Sequence, residues 1–219
     1  FVFLSVFYIY SGSQLWLISL VMCSYIAILS SQMAFQLILL SSPVYALLFN
    51  NFYFLLIPLV TSLIFLMTHR VIAVNYFKGQ ANHKRNYYLF LAEIFILKNR
   101  HSIYRDFVYD FWKRLIKKPL EASLYLYNNP LIEVIIQMPV VAYSIYIFFL
   151  GNRNGDLKFE KILIIPLILF LLTSFRKSRF LGEPQRYIEF YLPIFIIYII
   201  LNCTLQNILN LSLFSILVI

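Results

Sequence analysis

From Phe1 to Thr68 the chain carries no Asp, Glu, Lys, Arg or His. A stretch of that length without an ionisable side chain cannot supply the shell of a water-soluble domain, which needs polar groups on its surface. The whole chain follows suit: 62% of its 219 residues are hydrophobic and 12% are charged, where soluble domains carry about 25%. Hydrocarbon is the solvent that suits such a surface. The expected fold class is therefore all-α: a polytopic transmembrane helix bundle with a basic amphipathic interfacial segment.

One crossing takes about 20 residues, so the uncharged stretch must be divided by turn chemistry. Ser11-Gly12-Ser13 is one break. Ser41-Ser42-Pro43 is a second, because a serine cap followed by proline suits the start of a helix. These breaks predict transmembrane helices at about 14–40 and 43–68, with Pro58 kinking the second. Asn50-Asn51 is turn-prone and offers an alternative, dividing 33–68 into two short passes.

The character changes at His69. Residues 69–118 hold eleven Lys and Arg, yet they are too rich in aromatics for a disordered tail. A greasy helix is expected at about 86–97. Residues 103–118 have helical periodicity, with Ile103, Phe107, Val108, Phe111, Trp112, Leu115 and Ile116 on one face. Arg105, Asp106, Asp110, Lys113, Arg114 and Lys117 take the other. Such a helix suits the headgroup layer of a bilayer, and Pro119 ends it. Asn128-Asn129-Pro130 reads as a turn. Residues 69–130 thus form a basic amphipathic cytoplasmic or interfacial loop, and 131–219 return to transmembrane helices. The spans expected there are 131–150, 162–175, 189–202 and 204–219. A polar loop, 151–161, and a polar hinge, 176–189, separate them.

Charge orients this arrangement. Eleven Lys and Arg fall in 69–118, four in 176–187 and three in 151–161. If 131–150 and 162–175 each cross once, the two rich segments share a side, and the positive-inside rule makes that side cytoplasmic. The expected location is the cell inner membrane, multi-pass. The same rule accounts for the net charge of +9, so nucleic acid is not an expected partner. Anionic lipid headgroups are. Cys23 and Cys203 lie in apolar runs and read as packing residues. Phe1 in place of Met and the apolar final run LFSILVI lead to the expectation of a piece of a longer protein.

No Gly-rich phosphate loop, metal-spaced Cys/His set or nucleophile elbow is present, and no cofactor or metal is expected. Asp106 and Asp110 lack a third ligand and read as partners for neighbouring cations. The candidate chemistry gathers in Arg176 to Pro193, RKSRFLGEPQRYIEFYLP. There Glu183 and Arg186 are the candidate catalytic residues, while Arg176, Arg179 and Tyr187 are candidates for binding a phosphate-bearing substrate. Arginine presents a planar fork matched to phosphate oxygens. Pro184 suits the first turn of a helix whose N-terminus would favour an anion. The plainer reading is topological anchoring, with the glutamates pairing to the arginines. His83, Lys84 and Arg85 form a second candidate contact for phosphate, against the plainer reading of a basic loop touching anionic lipid.

QRYIEFYLPIF, with Arg186, Tyr187 and Pro193 at the matching positions, resembles the Arg-Tyr-then-Pro segment late in polytopic glycosyltransferases of the GT-C class. RFLGEPQRYIEF more loosely resembles a segment of bacterial membrane proteins of surface-polysaccharide assembly. The resemblance covers about eighteen residues of the chain. It implies a membrane enzyme acting on polyprenyl-phosphate-linked sugars. Two features depart from it: the family's acidic first external loop has no counterpart here, and charge places the hinge inside, where GT-C chemistry is external. The expected function is thus a lipid-linked-sugar glycosyltransferase or polysaccharide-assembly enzyme. A multi-pass transporter or flippase, marked by Gln32, Gln36 and Glu133, and a non-enzymatic membrane scaffold are the alternatives.

Overall fold

A computed structural model describes residues 1–89, 106–127, 129–150, 156–174, 178, 181 and 183–202. Among them every regular element is a helix and there is no strand. The order is α1 (Val2–Ser11), α2 (Gln14–Ser30), α3 (Gln32–Phe49), α4 (Tyr53–Thr68), α5 (Arg70–Leu89), α6 (Asp106–Lys117), α7 (Pro119–Tyr127), α8 (Pro130–Gln137), α9 (Pro139–Leu150), α10 (Leu157–Ser174), α11 (Pro184–Glu189) and α12 (Leu192–Asn202).

The uncharged stretch divides differently from the expected 14–40 and 43–68. Its second break is at Ser31, extended at φ −155°, whose Oγ accepts the amide of Ala34 at 3.4 Å and caps α3. Ser41 and Ser42 lie inside α3, fully buried. Each donates its hydroxyl to the Ile38 carbonyl, at 3.4 and 2.7 Å. That back-bonding satisfies the hydroxyls without a turn, and the helix runs on through Pro43. The next break is at Asn50, in the left-handed region at φ 49°, so the Asn pair does divide the segment. Gly12, at φ 64°, closes α1 in the same conformation, its amide bonded to the Tyr8 carbonyl at 2.9 Å. Pro58 lies within α4, which continues to Thr68.

Further along, the expected span 131–150 is two helices, α8 and α9, bent by 97°. Pro139 has no amide hydrogen and crowds the preceding turn, so α8 ends before it. α10 starts earlier than the expected 162, because an Asp156 carboxylate oxygen accepts the Lys158 amide at 2.9 Å and caps it. The expected span from 189 begins instead at Leu192, after a turn at Phe190 and Tyr191. The expected helix at 86–97 is the end of α5 up to Leu89, and its remainder lies outside the described residues, as does 204–219. Among the described residues α3 is long and apolar enough to cross a bilayer, and α8 with α9 is so if the bent pair counts as one span. α1, α2, α4 and α12 are apolar but shorter.

The core forms where α3 meets α2, α4 and α10. Tyr45, Phe54, Ile57, Ile162, Ile165 and Leu169 are all essentially without solvent contact there. Tyr45 stacks on Phe54 at 4.9 Å between centroids, and Tyr8 meets Phe54 edge-on at 5.5 Å. α12 closes the other flank. Ser144 in α9 donates to the Phe195 carbonyl at 3.2 Å, and Phe159 in α10 stacks on Tyr198 at 6.2 Å.

The turns sort into two ends. At one, Tyr10 of α1 donates to Asp156 at 2.5 Å, the Lys158 ammonium lies over the Tyr10 ring at 5.4 Å, and Lys161 lies over Phe49 at 5.8 Å. α10 leaves that end and carries Ser174 to the other. The Tyr25 hydroxyl meets Thr68 Oγ1 at 2.9 Å, next to the start of α5. A second, smaller cluster of Ile28, Phe35, Phe65 and Ala73 seats α5 there.

Phe54→Ala is expected to leave a cavity against Tyr45 and Tyr8 and to cost about 3–5 kcal/mol. A denaturant titration of the detergent-solubilised protein measures it. A loss below about 1 kcal/mol, the ordinary cost of an arbitrary substitution, would show that this aromatic stack is not the centre of the core.

Candidate functional site

The hinge is built from backbone constraint outward. Glu183 is extended at φ −78° and precedes α11, with Pro184 fixing the first helical φ. Arg186 falls one turn later, and its Nε lies 3.3 Å from Glu183 Oε2. Both side chains face water, Arg186 at 56% and Glu183 at 38% exposure. An ion pair this exposed contributes under about 1 kcal/mol, so the fold does not depend on it.

Tyr187 points the other way. It is fully buried, and its hydroxyl donates to the Leu181 carbonyl at 2.6 Å. Burial pushes that hydroxyl's pKa up, which keeps it protonated as a donor. The sequence offered Tyr187 as a substrate contact; the structure makes it a strut that ties the segment before Glu183 to α11. A second strut follows the hinge. Tyr191, also fully buried, donates to the Tyr45 hydroxyl at 3.4 Å, which keys this end of α12 to α3. α11 itself packs on α10 and α8. It has six residues, too few for the aligned dipoles of an anion site at its N-terminus.

The structure therefore brings Glu183, Arg186 and Tyr187 together: two exposed, one holding them in place. Arg176 and Arg179 lie outside the described residues. His83, Lys84 and Arg85 are on a different element, exposed along the later turns of α5, which packs on α4.

Polar contacts that the sequence did not single out fix α5 in place. The Gln80 side-chain oxygen accepts from Gln32 at 2.8 Å and from Gln36 at 3.2 Å. The Tyr76 hydroxyl is shut off from solvent beside them and lacks a hydrogen bond of normal geometry. Burial pushes its pKa up. Phe35 and Phe65 meet the Tyr76 ring edge-on at 6.2 and 5.9 Å. Gln32 and Gln36 thus serve as a staple near the start of α3. Glu133 lies in the first turn of α8, where Gln137 donates to it at 3.4 Å. No single glutamine in a sequence announces such a partner 44 or 48 positions away.

Chemically, the hinge offers a solvent-facing carboxylate that can take up a proton and a guanidinium that can turn from it to a phosphate oxygen. Among the described residues no three His, Cys, Asp or Glu side chains gather as metal ligands.

At the opposite end, the Tyr10 hydroxyl bond holds the Asp156 carboxyl below its usual range, helped by the Lys158 amide and ammonium. A depressed folded pKa gives stability that is present above the unfolded value and lost as pH falls through the folded one. The clasp between α1 and α10 is thus expected to be intact at neutral pH, its contribution fading once pH falls below the unfolded value of about 3.9 and towards the lower folded one. Tyr10→Phe should flatten the acid limb of a melting-temperature profile, and an unaltered limb would remove Asp156 as its source.

Comparison with known proteins returns no match: no family model, no curated protein and no solved structure is similar enough to this chain to assign it a family.

Proposed function

We propose that the chain is an integral, multi-pass membrane protein whose hinge handles an anionic, lipid-linked substrate, in the manner of an enzyme that transfers or polymerises polyprenyl-phosphate-linked sugars. Its immersion in lipid is supported by the apolar side chains left facing outward. Leu15, Ile18, Met22, Ile26 and Leu29 run along α2, and Leu56, Leu59, Leu63 and Met67 along α4, all exposed. Stripes of that length would aggregate in water. Short helices of 16 to 18 residues reach about 24–27 Å, and a bilayer can thin or flanking side chains can snorkel to meet them. The basic connector after His69 suits a cytoplasmic face.

The observation that carries the hinge reading is the contrast between its parts. An exposed Glu183–Arg186 pair of little value to the fold stands on a segment locked by two fully buried tyrosines. Rigid support under a weakly stabilising polar pair is how a chemical site is built. In this reading Arg186 meets the substrate phosphate and Glu183 accepts the proton of the attacking hydroxyl, with Tyr187 holding the geometry. A transporter would place its polar groups at mid-depth. Gln32, Gln36 and Glu133 all sit within about the first turn of their helices, bonded to protein partners, so the transport reading draws nothing from them.

Glu183→Gln keeps the size of the side chain and removes the base. It is expected to lower transfer from a polyprenyl-phosphate sugar by about 10²–10⁴-fold, the usual worth of a positioned acid–base group. Arg186→Ala should do the same mainly through weaker substrate binding. Membrane insertion and melting temperature are expected to be unchanged in both. Normal transfer by both variants at equal membrane levels removes the hinge from the chemistry.

A further inference from the structure

α6 and α7 form an arm outside the core. Among the described residues α6 packs chiefly on α7, α7 on α6 and α8, and α8 reaches the bundle through α9 and α11. Lys118 alone separates the two helices. Its amide bonds the Arg114 carbonyl at 2.7 Å, and its ammonium pairs with Glu121 at 2.6 Å.

The arm's two faces are opposed in kind. Phe111, Trp112, Leu115 and Ile116 recur at helical spacing on one side, and Lys113, Arg114, Lys117 and Lys118 on the other. Between Phe111 and Leu120 there is no acidic residue. The apolar side is left uncovered: Trp112 is 57% exposed, Ile116 81% and Leu120 80%. An apolar patch that includes a tryptophan is costly in water. A protein groove would cover the apolar side and has no need of four cations opposite it. A headgroup layer takes both at once: indole and aliphatic side chains enter the acyl boundary while the cations reach lipid phosphates.

We infer that α6, continued by the start of α7, docks in the headgroup layer of the bilayer and is selective for anionic lipid, holding the hinge end of the bundle at a fixed depth. The connection from α7 through α8 to α11 makes the arm a strut between the lipid surface and Glu183–Arg186. This rests on the reading that the bundle itself is immersed in lipid.

The chain's two tryptophans, Trp16 in α2 and Trp112 in α6, allow the two ideas to be tested apart. The full chain is reconstituted into vesicles of phosphatidylcholine, with or without phosphatidylglycerol, that contain lipids brominated close to the headgroup. Trp112→Phe leaves Trp16 as reporter, and Trp16→Phe leaves Trp112. Trp16 emission is expected to be quenched in both lipid mixtures. Trp112 emission is expected to be quenched strongly only where phosphatidylglycerol is present, and to recover in high salt. Lys117→Gln should lower the docked-to-undocked ratio about fivefold, the worth of one basic residue at an anionic surface. Trp112 left unquenched in both mixtures, while Trp16 is quenched, overturns the docking and points to a protein partner for the arm. Equal quenching of Trp112 in both mixtures overturns its selectivity for anionic lipid. Unquenched Trp16 overturns the immersion of the bundle instead.

Discussion

The packing of α3 against α2, α4 and α10 is the contact on which the other parts rest. It closes around aromatic rings, with Tyr45 and Tyr8 both against Phe54, and around the isoleucine and leucine side chains of α10. Rings contribute large contact areas with few rotamers to freeze. They also carry hydroxyls inward. Tyr45 answers Tyr191, so the core extends a polar finger to the turn that ends the hinge. Small hydroxyl side chains complete the interior. Ser5, Ser24, Ser144 and Thr173 each bond a carbonyl of the preceding helical turn. Such side chains let helices approach closely without leaving an unsatisfied donor in an apolar surrounding.

From that core the rest of the molecule is positioned by pairs of contacts at opposite ends. Tyr10, Asp156, Lys158 and Lys161 clasp one end. At the other, Gln80 staples α5 to α3 and the Phe35–Phe65–Tyr76 rings seat it. The described part of the hinge is held by α10 and α8. Its Glu183–Arg186 pair is exposed and contributes little, while Tyr187 and Tyr191 are the buried anchors. In the proposed function this division is the main point: the reacting groups can exchange partners with substrate while the backbone beneath them holds still.

Some of the site was legible in the residues and some was not. Glu183, Arg186 and Tyr187 stand out in the sequence as polar residues in a short break between apolar runs, and Arg186 does meet Glu183. The role of Tyr187 was not legible, because a tyrosine beside two ionised groups looks like a contact until its burial is known. Grouping His83, Lys84 and Arg85 with the phosphate-binding residues rested on type alone, and the fold sets them on a separate helix. The glutamine staple was invisible for a plain reason: hydrogen bonds between elements depend on which faces meet, and no local pattern encodes that.

The helical class found among the described residues was readable from the amino acids alone. Long apolar runs without a period of two, several of them opened by Ser, Asn or Pro, are the pattern of helices. The sequence also determined where cations collect and that 106–117 would be two-faced. Which serine pair breaks the uncharged stretch was settled by packing. Ser30-Ser31 and Ser41-Ser42 are chemically alike, and both can cap. Packing chose between them: residues 41–46 fit the core between α4 and α10, where an unbroken helix buries Ser41, Ser42, Val44, Tyr45 and Ala46 together. A turn there would have brought unpaired backbone groups into the most apolar part of the molecule. Ser31, exposed at the end of the bundle, could turn the chain at almost no cost.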